Sequence, residues 1–340
     1  MSFIDSIYEK AKQNKQRLAV PECTNELVMR STVRADEAGI AEIVYVGERS
    51  QIDEVAQRCG IDLSAIKVVD VNDEAYKEDL VERYAARPNN VMSRKSIAKR
   101  IASPLYMALV MEAVGDVDCT FGGVDTTTYE FVMAASSIIG MAEGVITPSA
   151  FILLEFENYE GEQGKCFGMS DGGVCVNPTS EQLASIAISC SDTFGALMGR
   201  PARCAMLSYS TCGSGSGPSV DRVREAVGIA QGLRPDLMID GEFQSDAAII
   251  PRIAEKKVKR TSEVAGRANV LIFPDIDGCN IGTKLLQLLG NAHGYGPHYQ
   301  GFRLPVMDCS RGDTEDKVFD NIALCSVIAA YQRDKEGDKK

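Results

Sequence analysis

The chain has no tryptophan, only two histidines in 340 residues, and no Cys-x-x-Cys pair among its eleven cysteines. His293 and His298 stand five apart in a Gly/Pro-rich stretch, off the i,i+4 spacing of a helical zinc pair and without a nearby third ligand. They read as loop residues, and histidine-based catalysis or metal binding has little material here. The cysteines are odd in number and scattered from Cys23 to Cys325 in mostly apolar contexts. Without a secretory signal, that pattern fits free thiols in a reducing cytoplasm. Positive charge is also short: 36 Lys plus Arg face 48 Asp plus Glu, a formal net charge of −12. Such a balance rules against a nucleic-acid or anionic-membrane surface, although a few local arginines can still receive a small anionic substrate. No apolar run approaches the ~18–20 residues of a membrane span. The segment Met1–Gln16 interleaves Phe3, Ile4, Ile7 and Tyr8 with Asp5, Glu9, Lys10 and Lys12, which predicts a short amphipathic helix rather than a signal peptide.

What is present is a globular composition, 45% hydrophobic and 25% charged, long enough for one large domain or two ordinary ones. Short β-type runs alternate with helical patterns: Arg17–Pro21, Glu42–Gly47, Ile66–Asp70, Cys119–Gly122, Ala150–Glu155, Ala202–Tyr209, Leu237–Asp240 and Ala268–Phe273. Strands apolar on both faces and separated by helices imply a mostly parallel α/β sheet. Thr179-Ser-Glu-Gln182 forms a capping box ahead of the stripe Leu183, Ile186, Cys190, Phe194 and Leu197. Val223, Ala226, Val227 and Ala230 mark a second helix behind Pro218 and Ser219, and Val318, Ile322, Cys325 and Ala329 mark a third over about 316–331. The Gly-rich stretch Gly140–Pro148 is the expected crossing between domains, Glu157–Gly164 reads as a hairpin loop, and the charged tail Arg333–Lys340 as a frayed end.

Two segments carry chemistry. Leu207–Pro218, with three glycines and the hydroxyls of Ser208, Ser210, Thr211, Ser214 and Ser216, leaves a predicted strand and enters a predicted helix. Free N–H groups and the helix dipole there suit a phosphate or other anion, set against a plain flexible turn. A dinucleotide fingerprint would need glycine where Pro218 stands, and a Walker A loop would need a following Lys-Ser/Thr pair. Asp308–Asp316 places Ser310 and Arg311 at the mouth of the last helix, after the strand-like Phe302–Met307, where an arginine can fork onto phosphate oxygens. With Asp313 as N-cap, the plain reading of Asp316 is an acidic third residue of that helix. Gly168-Met-Ser-Asp-Gly172 lacks the helix of a hydrolase elbow because the extended Gly173–Val176 follows. Gly278–Lys284 is one residue short of a P-loop and reads as a tight turn into a helix over 283–290. Cys309 has no histidine nearby in sequence to activate it and reads as a spectator thiol.

Taken together these segments resemble the phosphate acetyltransferase (phosphotransacetylase) family. The motifs are Asn177–Leu183, Ala205–Thr211, Gly213–Gly217, Val223–Ala226, Asp240-Gly-Glu242, Asp246–Ala248, Ala265–Val270, Phe273–Asp275, Gly278–Lys284 and Ser310-Arg-Gly312. The first half contributes Val20-Pro-Glu22, Ala38–Ile40 and Gly47. The resemblance implies two α/β domains of the isocitrate/isopropylmalate dehydrogenase type, 1–145 with 297–340 and 146–296, a cleft between them, and a homodimer. It implies reversible acetyl transfer between CoA and phosphate, with CoA or acetyl-CoA as substrate, no permanently bound cofactor and no metal. Propanoyl or butanoyl transfer is the nearest variant; a metal-dependent dehydrogenase using Asp240 and Asp246, or a non-catalytic acyl-phosphate or CoA binder, are the others. By the same resemblance Ser310 stabilises the transition state, Arg311 holds the acyl phosphate and Asp316 is the base. Substrate contacts fall to Arg87, Thr127, Thr128, Thr211, Gly213, Ser214, Gly215, Ser216, Gly282 and Lys284. Three positions depart from the family pattern. Val132-Met133-Ala134 lacks a usual arginine, the residue before Ser310 is Cys309 rather than apolar, and Asp316 lies six instead of seven residues past Ser310, which makes Asp313 an alternative base.

Overall fold

The computed structural model describes residues 2–310 and 312–337. In chain order the elements are α1 (Phe3–Gln13), β1 (Gln16–Val20), α2 (Glu26–Glu37), β2 (Ala41–Gly47), α3 (Arg49–Cys59), β3 (Lys67–Asp70), α4 (Glu74–Ala85), α5 (Arg94–Arg100), α6 (Pro104–Val114), β4 (Cys119–Gly122) and α7 (Thr128–Ile138). There follow β5 (Ser149–Glu155), β6 (Cys166–Ser170), α8 (Ser180–Met198), β7 (Arg203–Leu207), α9 (Pro218–Leu233), β8 (Met238–Phe243), α10 (Ser245–Ile249), α11 (Pro251–Lys257), β9 (Val270–Ile272), α12 (Ile276–Leu289), β10 (His293–Gln300), β11 (Val306–Asp308) and α13 (Glu315–Gly337). They form two compact units, Met1–Ala142 with Phe302–Lys340, and Glu143–Gly301.

In the first unit the strand order is β3-β2-β1-β4-β11, and every pairing is parallel. The sheet grows from β1 in both directions, β2 and β3 on one side and β4 and β11 on the other. Growth reverses between β1 and β4, and at such a switch point the loops leaving the strand carboxyl ends diverge and open a crevice. Leu18, Ala19 and Val20 of β1 and all four residues of β4 are buried. Helix α13 turns Val318, Ile322, Cys325 and Ala329 inward against α2, β1 and β4, the stripe read from its periodicity.

The second unit has the order β10-β5-β6-β9-β7-β8. Its β6, β9, β7 and β8 run parallel, and β5 and β10 extend them antiparallel. The Thr179 capping box forms as expected, and Leu183, Ile186, Cys190, Phe194 and Leu197 of α8 are buried. The fold class is thus the expected α/β arrangement of largely parallel strands flanked by helices.

Several local expectations change. Gly278–Lys284 is not a turn: α12 starts at Ile276, because the Asp275 carboxylate accepts the Gly278 N–H at 2.9 Å and caps the helix there. The histidines lie on a strand rather than in a loop. The donor-less Pro297 sits inside a register shift between Tyr295 and His298, so β10 pairs with β5 on either side of it. Strand β6 replaces the extended stretch expected at Gly173–Val176; those residues bend around Asp171 instead. Only Val306–Asp308 of the segment 302–307 and its successor is strand.

One core group opposes the fold. Glu112 of α6 is fully buried; the Thr120 hydroxyl donates to its Oε2 at 2.7 Å, and Oε1 has no partner among the described residues. Burial pushes this carboxyl well above the usual range. The folded chain therefore keeps a proton that the unfolded chain releases near pH ~4.3, and stability falls as pH rises beyond that value. Glu112→Gln removes the titration. Melting temperatures of the variant and the parent, compared between pH 4 and 8, should move steadily in the variant's favour as pH rises.

Candidate active site

Beside the switch point the loops after β4 and β11 start side by side, since Gly122 is in register with Asp308. The Cys309 N–H donates to the Gly122 carbonyl at 2.8 Å and ties the two exits together. Gly123 has φ +93°, and a Cβ there would fall 1.1 Å from Asp308 Oδ1, so only glycine lets the chain pass that carboxylate. Beyond it, Val124 and Asp125 N–H donate to Glu22 Oε2 at 2.7 and 3.2 Å, and Thr126 N–H donates to Oε1 at 2.8 Å. Glu22 is buried two residues past β1. The loop delivers Thr127 as N-cap of α7, in a capping box with Glu130, and Thr128, whose hydroxyl donates to Asp308 Oδ2 at 3.3 Å.

From β11 the chain reaches Ser310, which is exposed. The sequence-predicted Thr127, Thr128 and Ser310 therefore meet at one sheet edge; Arg311 lies outside the described residues. Asp313 is not the helix cap. Thr314 takes that place, its hydroxyl accepting the Lys317 N–H at 3.4 Å and its carbonyl the Val318 N–H at 3.0 Å. Asp313 instead closes the turn: Ser310 N–H donates to its Oδ2 at 2.8 Å, and its own N–H donates to the Ser310 carbonyl at 2.9 Å. Burial pushes the Asp313 carboxyl upward. Asp316 is the second residue of α13, its side chain 82% exposed, and it accepts from Arg34 at 2.6 Å rather than turning back to Ser310. Arg34 in turn stacks on Phe319 at 4.2 Å. Arg87 lies on a separate segment just past α4, half-buried, its guanidinium 5.9 Å from the Tyr84 ring centre. Cys309 is buried, which pushes its thiol well up and suits a spectator.

In the second unit, Thr211, Gly213, Ser214, Gly215 and Ser216 share the loop between β7 and α9. Many of its donors are already engaged. Ser210 Oγ and Gly213 N–H donate to Glu242 Oε1 at 2.7 and 2.9 Å. Thr211 exchanges hydrogen bonds with Gln244, and its N–H donates to Ser214 Oγ at 3.0 Å. Gly282 and Lys284 lie elsewhere, inside α12; a Cβ on Gly282 would come 3.1 Å from the Phe273 ring, and Lys284 is exposed. Asp171 accepts four backbone N–H groups, from Ala150, Gly173, Val174 and Cys175, at 2.6–3.2 Å. Asp240 is bound to Arg260 and Ser262, and Asp246 to Lys257, so neither carboxylate is idle. Burial pushes His298 down to about 3, which keeps it neutral.

Sequence reasoning passed over Glu22, Asp171 and Glu242 as site-building groups. The available signal was an acid beside Pro or Gly at a strand end, as in Val20-Pro-Glu22 and Asp240-Gly-Glu242. Glu22→Gln replaces one accepting oxygen by an amide that faces an N–H donor. It should cost about 1.5–3 kcal/mol of stability in urea unfolding, with new hydrogen-exchange lability at residues 124–126.

Comparison with known proteins shows which family the whole chain belongs to. A profile of the family described as phosphate acetyl/butaryl transferase matches residues 2–326. A phosphate acetyltransferase of Thermoanaerobacterium thermosaccharolyticum is 38% identical over 330 residues, 97% of this chain and 100% of that protein. The crystal structure of a phosphotransacetylase from Streptococcus pyogenes superposes with a TM-score of 0.86 at 30% identity, covering 97% of this chain and 99% of that one. A 4-hydroxythreonine-4-phosphate dehydrogenase from Klebsiella pneumoniae, at 12% identity and a TM-score of 0.55 over 93% of this chain and 99% of that one, shares the fold alone. With near-complete coverage in both sequence and structure, the chain belongs to the phosphate acetyl/butaryl transferase family.

Proposed function

We propose that this protein is a phosphate acetyltransferase, catalysing acetyl-CoA + phosphate = acetyl phosphate + CoA. The observation that carries the reading is the likeness to phosphate acetyltransferases along essentially the whole chain, with the Ser310 loop at the carboxyl ends of β4 and β11. Attack of the CoA thiol on acetyl phosphate requires loss of the thiol proton. Passing it from a thiol near ~8.5 to a carboxylate near ~3.9 is uphill by roughly 6 kcal/mol. Burial of the carboxylate narrows that gap. Ser310 faces the oxyanion of the tetrahedral intermediate and Arg311 holds the acyl phosphate. Arg87, Thr127 and Thr128, and separately the 211–216 loop with Gly282 and Lys284, supply substrate contacts.

The resemblance assigns the base to Asp316. A second reading, Asp313, is favoured by a specific observation: its carboxylate is hydrogen-bonded to Ser310 and raised by burial, whereas Asp316 is exposed and paired with Arg34. We further propose a homodimer and a cytoplasmic location. The exposed stripe Ile281, Leu285, Leu288 and Leu289 on α12 supports the first, and the free cysteines support the second.

Thioester formation from CoA and acetyl phosphate, followed spectrophotometrically beside propanoyl and butanoyl phosphates, should be fastest with acetyl. No thioester from any of the three would end the reading. Ser310→Ala should lower kcat more than it raises KM, because an oxyanion contact strengthens in the transition state. Whichever of Asp313→Asn and Asp316→Asn removes the base should cost about 10²–10⁴-fold in rate, while the other stays near the parent.

A further inference from the structure

Glu242 sits near the end of β8 and reaches across to the loop that leaves the neighbouring strand β7. Its Oε1 receives the Ser210 hydroxyl at 2.7 Å, the Gly213 N–H at 2.9 Å and Arg224 Nη2 at 3.0 Å, while Oε2 receives Arg224 Nε at 3.0 Å. Its main-chain carbonyl also accepts the Cys212 N–H at 3.3 Å. Arg224, from α9, donates on to the Gly215 carbonyl, and the Ser210 oxygen accepts the Gly215 N–H at 2.9 Å. One carboxylate thus links the start of the loop, its apex and the helix that follows. The loop needs such a hub: Cys212, Gly213 and Gly217 all have positive φ, a conformation that costs the side-chain-bearing Cys212.

We propose that Glu242 is a positioning residue, a buried carboxylate that holds the 208–217 loop in the form that meets substrate. The inference rests on the reading of this loop as a substrate contact in a phosphate acetyltransferase. Glu242 is not itself a proton acceptor for the reaction. It is 3% exposed. Burial alone would push its carboxyl up, but Arg224, the Gly213 N–H and the Ser210 hydroxyl outweigh that and hold it at about 2. A group so placed stays ionised and spends its charge on the loop. The loop leaves Cys212, Gly213, Ser214, Ser216 and the Tyr209 ring exposed, and the Tyr209 hydroxyl donates to the Ser216 carbonyl at 2.7 Å. Holding those groups is a matter of position, and an error near 1 Å in a substrate-binding group can cost about 10²-fold.

The test uses the full chain and compares Glu242→Gln, which puts an amide against Arg224, with the milder Ser210→Ala. Three quantities are read: the Kd for CoA by calorimetry, KM and kcat for thioester formation, and hydrogen exchange of the 208–217 amides. For Glu242→Gln we expect Kd and KM for CoA to rise about 10- to 100-fold, with kcat within about threefold. Exchange should quicken in 208–217 but not in α8 or β6. Ser210→Ala should shift the same quantities less, and carries the test alone if Glu242→Gln does not fold. Unchanged Kd and KM despite faster loop exchange would overturn the proposal, as would unaltered loop exchange or a loss of protection spread evenly through α8 and β6. A parent chain that neither binds CoA nor forms thioester would instead defeat the phosphate acetyltransferase reading, and loop exchange would still decide whether Glu242 holds the loop.

Discussion

The loops at the strand carboxyl ends of this protein depend on buried carboxylates that accept backbone N–H groups. Glu22 gathers three of them after β4, Asp171 gathers four around the bend after β6, and Glu242 takes one together with a hydroxyl and a guanidinium after β7. An N–H-rich loop at a strand end is a ready receptor for anions. Here the chain supplies its own anions, which convert loops that would otherwise wander into fixed shapes. At Glu242 the Arg224 guanidinium and the donated hydrogen bonds outweigh burial, whereas at Asp171 burial still pushes the carboxyl up despite four N–H donors.

This arrangement fits an acidic chain in which several arginines are already engaged with carboxylates. Arg224 serves Glu242, Arg260 serves Asp240, Arg34 serves Asp316 and Arg17 serves Asp118. The net charge of −12 includes carboxylates such as Glu22 and Glu242 that are enclosed in donors, beside others such as Asp316 that are exposed. His298 is buried, and burial holds it neutral.

How much of this was legible in the residues depends on the range of the interaction. The 3.6-residue pattern gave the buried stripes of α8, α9 and α13, and short apolar runs between helical stretches gave the strands β1, β2 and β4. Local capping chemistry was readable at Thr179, yet it misled at Asp313, because Thr314 competes for the same role one residue on and Asp313 finds a better donor in Ser310. Strand β6 escaped notice because Gly168 interrupts its apolar run, and that glycine is required by the Phe151 ring, 2.7 Å from where its Cβ would be. Glu22 and Glu242 were visible only as letters in motifs, since their partners lie 102–104 and 18–32 residues away.

The division of the chain has a bearing on synthesis. The second unit, Glu143–Gly301, is one uninterrupted stretch, whereas the first needs β11 and α13 from beyond it to complete its sheet and cover β1 and β4. A ribosome therefore delivers every residue of the second unit before the first can close. During that interval the apolar faces of β1 and β4 lack their α13 cover and are open to wrong contacts.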